Sequence, residues 1–363
     1  MPRLTMVVTT RNRVQFLSRF LAYYAGRAFS HPIIISDASD PEPFEAIVSM
    51  IRRYRDQLNV THLAHPRASA NICLAQGLAQ ARTPYCMLAS DDDFYVPETM
   101  DLCMDFLDRH PAYRVAHGLC LMFGLDSGQT HGRFQWMTHY EYADIEDDTG
   151  AGRLGRFMSH WFATGNSIHR TEDVRDGYTR VIERKLGYEF AEILTTCIPV
   201  IRGKVKRLEK LYKLCQAHPG QVSARGSQEP GLFEWFCAAP WRGECEGVQR
   251  CLAEELARQD GMSVREGEET AKKYLWWMLG KYLSREWDRF YAPHRFNGFR
   301  ASSRETLRRM LGRLKSAHRM LSFIPTDAVE LSLNDLARPT SVYHDDFAPV
   351  CEAVTRPVEA TVP

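Results

Sequence analysis

The sequence predicts an α/β fold: a mostly parallel, twisted sheet with helices on both faces, followed by a helical C-terminal region. Two observations predict it. Short β-branched runs alternate with helical patterns through the first 90 residues, the β-α-β rhythm of a covered parallel sheet. From about residue 226 the alternation stops and helical periodicity takes over. The organisation expected is an α/β unit over 1–225, a helical region over 226–338 and a tail over 339–363.

The elements follow in order. Residues 4–8 (LTMVV) are a strand and 14–24 a helix, with Leu17, Phe20, Leu21 and Tyr24 at helical spacing. Residues 33–35 (III) are a strand, and 43–58 a helix opened by the turn formers of DASDPEP. Residues 60–63 are a strand, 69–81 a helix beginning at Ser69, and 85–89 a strand. In the C-terminal region helices are expected over 246–258, 266–291 and 304–321. The second has Tyr274, Leu275, Met278, Leu279, Tyr282, Leu283 and Trp287 as an apolar face. Trp276 and Trp277 are expected in the core, the usual place of helical aromatics, with stacking on a sugar as the alternative. The tail after Pro339 reads as frayed.

Composition narrows the functional classes. The chain has 363 residues, 44% apolar and 25% charged, with 46 basic against 45 acidic side chains. That is an ordinary globular balance, without the basic field of a nucleic-acid binder. The ten cysteines form no Cys-x-x-Cys pair and read as reduced thiols. No secretory pattern opens the chain, and the longest nearly unbroken apolar stretch, 115–125, contains His117 and is too short to span a bilayer. A cytoplasmic location is expected.

Ligands on such sheets gather at the carboxyl ends of the strands. Three of those ends are polar: TTRNR at 9–13, SDASD at 36–40 and SDDD at 90–93. No Gly-x-Gly-x-x-Gly follows the first strand and no P-loop motif occurs, so a phosphate would have to be held in another way. A carboxylate run holds one through a divalent cation, which accepts oxygen ligands from protein and diphosphate together. The alternative is that 91–93 simply caps the next helix.

TMVVTTRNR, IIISDASD, ASANICLAQGLAQA and TPYCMLASDDDFYVPE, with LYKLCQAHPGQ later, resemble in order and spacing the nucleotide-binding half of family-2-like glycosyltransferases with the GT-A fold. The resemblance covers roughly residues 3 to 222. It implies a nucleotide-diphospho-sugar donor, a divalent cation (Mn2+ or Mg2+) and transfer to a hydroxyl of a glycan, a lipid-linked sugar or a protein. Thr9 and Arg11 would line the nucleotide entrance, Asp37 would meet the base edge, and Arg67 would hold a phosphate or face water.

The family's metal-binding aspartate, five residues before a helix-opening proline, falls on Asp92. Ser90 takes the first acidic position of the family's Asp-x-Asp, with Asp91 between, and Asp91 with Asp93 forms the other register. His218, in His-Pro-Gly, would stand near the diphosphate or bind the metal. The base of inverting members is an aspartate about eleven residues before a helix-ending glycine. Counting back from Gly203 gives Glu192, preceded by Ala191 instead of an acid, and Glu189 lies one turn away.

Two rival functions remain: a metal-dependent nucleotidyl- or phosphotransferase, which lacks its Gly-rich loop here, and a non-catalytic sugar-nucleotide or glycan-binding module. Arg304, Arg308, Arg309, Arg313, Lys315 and Arg319 form a solvated basic face or a surface for peripheral contact with anionic lipid.

Overall fold

The computed structural model describes residues 2–140, 142–221, 239–295 and 333–356. Nine strands form one sheet in the order β3-β2-β1-β4-β8-β6-β9-β5, with β7 paired to β6. The strands are β1 (Leu4–Thr10), β2 (Ile33–Asp37), β3 (Val60–Ala64), β4 (Tyr85–Ser90), β5 (Phe94–Tyr95), β6 (Tyr113–Leu125), β7 (Phe134–Tyr140), β8 (Ile168–Arg170) and β9 (Lys204–Ala217). The first four run parallel, β8 is antiparallel to β4 and β6, and β9 runs parallel to β6.

Alternation along β1 sorts the helices onto two faces. Leu4, Met6 and Val8 join one core with α1 (Val14–Gly26), α2 (Pro41–Tyr54) and α4 (Pro97–Arg109). Val7 points the other way, to Leu74 and Leu78 of α3 (Ala70–Gln80) and to Val174 and Tyr178 of α6 (Thr171–Glu183). Gly77 permits that contact, because a Cβ there would stand 2.5 Å from Val7 Cγ1. Since β1 lies between β2 and β4 and its flanking crossovers pack on opposite faces, a crevice opens at its carboxyl end.

A second core joins the sheet to the C-terminal helices. It holds Val115 and Cys120 of β6, Leu154 and Phe157 of α5 (Gly150–Ser159), and Leu194 and Ile198 of α7 (Tyr188–Arg202). Into the same core come Val248 and Leu252 of α8 (Arg242–Asp260) and Leu275 and Met278 of α9 (Val264–Arg295). The boundary expected at 225 lies outside the described residues, as do the helix expected at 304–321 and its basic side chains.

Two expectations are corrected. The tail is not simply frayed: after a short helix α10 (Leu333–Ala337), helix α11 (His344–Thr355) inserts Phe347, Val350 and Val354 into the first core. Trp276 and Trp277 are not core residues but are 45% and 48% exposed, since Ala271, Leu275, Met278 and Leu279 supply the buried stripe of α9. Among the described residues no helix is long and apolar enough to cross a membrane.

Candidate functional site

The ends of three strands meet in register. Thr9 of β1 pairs with Ser36 of β2 on one side and with Ser90 of β4 on the other, and Thr10 pairs with Asp37. The loops beyond are tied together by Asn12, whose backbone N–H donates to Ser39 Oγ (2.8 Å) and whose side-chain amide exchanges two hydrogen bonds with Asp40.

The acidic run does not cap a helix. The N-cap of α4 is Val96, with no side-chain cap, while Pro97 opens the first turn. Asp91, Asp92 and Asp93 form instead the short link between β4 and β5. β5 pairs with β9, Phe94 opposite Leu214 and Tyr95 opposite Lys213, and this pairing carries the run to the end of β9, where His218 follows.

Each carboxylate finds a cation, Asp91 and Asp92 sharing one. Asp91 accepts from Thr10 Oγ1 (2.7 Å) and lies 3.2 Å from Arg13 Nη1. Asp92 Oδ2 accepts from Arg13 Nη2 (2.6 Å) and from His218 Nε2 (2.9 Å). Asp93 pairs with Lys213 Nζ (2.9 Å) and accepts the Gln216 backbone N–H (3.1 Å). A third cation, Arg19 of α1, donates to the Asp92 carbonyl (2.8 Å) and to Gln216 Oε1 (2.6 Å).

Burial drives the titration of these groups, and partners decide where it loses. Burial raises the Asp91 and Asp93 carboxyls above the ordinary range, more than Arg13 and Lys213 lower them. Burial also opposes ionisation of Asp92, but His218 and Arg13 outweigh it and hold that carboxyl low. Burial brings Arg19 down to about 10. Lys213 is raised well above its ordinary value because Asp93 overcomes its burial, so it stays charged.

The other expected residues fall as follows. Thr9 is half-buried at the crevice and Arg11 is exposed. Asp37 is fully buried, its Oδ1 accepting from Ser39 N–H (2.8 Å) and its Oδ2 facing His62 Nε2 (3.0 Å), so it is not the open acceptor expected for a base edge. Arg67 turns outward, its side chain 79% exposed and its Nε 3.9 Å from Asp40. Glu189 and Glu192 sit in the first two turns of α7, which ends at Gly203. Arg153 fixes that end by donating to the carbonyls of Val200 (2.9 Å) and Ile201 (2.5 Å), two of the groups a helix C-terminus leaves unpaired. Burial raises the Glu192 carboxyl, against the field of Lys213.

The expected metal set does not assemble. Asp93 is committed to Lys213, away from Asp92 and His218. His218 Nδ1 accepts the Gly220 N–H (3.1 Å), which leaves the proton on Nε2, where a metal would need a lone pair. The Arg13 guanidinium lies against both groups, its Nη2 2.6 Å from Asp92 Oδ2 and 3.0 Å from His218 Nε2. Among the described residues no three His, Cys, Asp or Glu side chains are grouped to hold a metal ion. A divalent cation does not fit this donor set.

Sequence reasoning missed Arg13, Arg19 and Lys213. Arg13 ends the TTRNR stretch of which only Thr9 and Arg11 were singled out, and Lys213 is a charge inside the otherwise strand-like LYKLC.

No protein-family profile matches the sequence, and no curated protein matches it. Solved structures do. Residues 1–349 of S. aureus TarS in complex with UDP-GlcNAc superpose with a TM-score of 0.52 at 17% identity, covering 75% of this chain and 71% of that one. The same portion of TarS without that ligand gives 0.49 at 16% identity, over 82% and 74%. In architecture, then, this chain has the GT-A-like fold of TarS, the fold its sequence resembles.

Proposed function

We propose that this protein is a glycosyltransferase of the hexosyltransferase type, moving a sugar from a nucleoside diphosphate donor to an acceptor hydroxyl with inversion. The observation that carries the reading is the gathering of Asp91–Asp93, Arg13 and His218 at the carboxyl ends of β1 and β4, on a GT-A-like sheet. A crevice of that kind takes a nucleotide. UDP-GlcNAc, bound in the TarS complex, is the first donor to test.

In this reading Glu192 Oε takes the proton of the acceptor hydroxyl as its oxygen attacks the anomeric carbon. The bond from that carbon to the diphosphate oxygen breaks, and the electron pair leaves on the nucleoside diphosphate. A base with a raised pKa suits the task, being closer to the operating pH than an exposed carboxylate. Thr9, Arg11 and the Asn12–Ser39–Asp40 tie would border the nucleotide, with Asp37 positioning His62 instead of touching the base. The leaving diphosphate requires positive charge nearby.

Ser90 and Ala191, standing where acids were expected, favour a second reading as a non-catalytic sugar-nucleotide-binding module. Release of UDP from UDP-GlcNAc, in the presence of a panel of glycan and lipid-linked acceptors, separates the two. Turnover supports the enzyme; a raised melting temperature with UDP and no turnover across the panel supports the module.

A further inference from the structure

Building on the nucleotide-binding reading above, we infer that this site holds its diphosphate without a divalent cation, Arg13 supplying the charge a metal would bring. The guanidinium is set against three side chains to which such an ion would turn, Asp91, Asp92 and His218. Its Nη2 is 2.6 Å from Asp92 Oδ2 and 3.0 Å from His218 Nε2, and its Nη1 is 3.2 Å from Asp91 Oδ1. Asp92 Oδ2 is thereby occupied by two N–H donors, Arg13 and His218.

The charges of the loop are also balanced within the protein. Asp91, Asp92 and Asp93 stand against Arg13, Arg19 and Lys213, and no carboxylate of the three lacks a cation or an N–H partner. An added dication would have to displace a guanidinium from two acids and reverse the His218 tautomer. A diphosphate meets no such barrier. Arg13 is a quarter exposed at its side chain, and a guanidinium has five N–H donors, more than its two carboxylate contacts here consume. Its planar fork matches phosphate oxygens. Phe16 supports it from beneath, with Arg13 Cζ 4.6 Å from the ring centroid, and the same ring stacks on His218.

The backbone adds to this. Arg13 is the N-cap of α1 and no side chain caps that helix, so the positive end of its dipole lies beside the guanidinium.

The test is calorimetric titration of the full chain with UDP and with GDP, in excess EDTA and again with Mn2+ or Mg2+. At least one of the two should bind in EDTA, with either metal changing its affinity by less than about threefold. Arg13→Gln should weaken that binding by about tenfold or more, and added metal should not restore it. Arg13→Lys keeps the charge without the fork and should lose less than Arg13→Gln; it carries the test if the glutamine variant does not fold. Binding that appears only with metal, or that Arg13→Gln and Arg13→Lys leave unchanged, overturns the inference. Absence of binding by either nucleotide, with and without metal, overturns the nucleotide reading itself and this inference with it.

Discussion

Lys213 Nζ lies 2.9 Å from Asp93 Oδ2, with both side chains almost fully buried. The pair pins the acidic loop to β9, and Asn166 Oδ1 accepts a second hydrogen bond from the ammonium (2.7 Å). Removing one partner strands the other charge in a low-dielectric interior. Lys213→Met should therefore destabilise the fold by about 3–5 kcal/mol in urea denaturation. Lys213→Met/Asp93→Asn should recover most of that loss, because the stranded charge is gone. A single variant costing less than about 1 kcal/mol would mean that the ion pair is solvated.

Glu192→Gln should bind UDP about as well as the parent and transfer sugar about 10²–10⁴-fold more slowly. Because burial raises the Glu192 carboxyl, the acid limb of the parent's pH-rate profile should lie above the usual carboxylate range, near 4. If Glu189→Gln shows the loss and Glu192→Gln does not, the base lies one helical turn earlier.

Asp37 predicts an acid-sensitive term in stability. Burial alone would raise its carboxyl, but hydrogen bonds from His62 and Ser39 hold it below the ordinary value. A group with a lowered folded pKa contributes stability above its unfolded pKa, and that contribution is lost as pH falls through the folded value. Melting temperatures should fall below about pH 4 in the parent, and less steeply in Asp37→Asn. Parallel acid limbs in the two proteins would remove Asp37 from the balance.

Phe347→Ala should cost about 3–5 kcal/mol, measured by chemical denaturation. The ring is 1% exposed and sits 5.5 Å, centroid to centroid, from Phe134 of β7. A cost near zero would show that α11 is not docked in solution.

The sequence made the first four strands legible because β-branched runs are short, continuous and bounded by turn residues, and β1, β2, β3 and β4 fall where LTMVV, III, VTHL and YCMLA stand. It made the polar strand ends that meet in register legible too, since runs ending in Thr, Asp and Arg are visible without coordinates. It did not reveal which charges turn inward. Arg19 looks like any helical arginine in VQFLSRFLAYY, yet it is 1% exposed, and only the distant Thr130 carbonyl, Gln216 and Asp92 explain why. The pairing of the acidic run was hidden for the same reason: a run of aspartates announces a need for positive charge, and Arg13 and Lys213, remote from it in the chain, stand against it. Helix α11 was missed because its three buried residues, Phe347, Val350 and Val354, are spread thinly through polar sequence.

Helix α7, which carries Glu192, has one flank on β6 and the other on α8, while Arg153 of α5 clamps its end and Arg202 near its terminus joins Glu255 of α8 at 2.8 Å. The C-terminal helices are therefore not a detachable cassette. A chimera joined between α7 and α8 would mate two halves of one core grown in different proteins, and would disturb the helix that holds the Glu192 carboxylate. Grafts intended to change the acceptor should keep α5 through α9 as one inherited block and vary the connections at its surface.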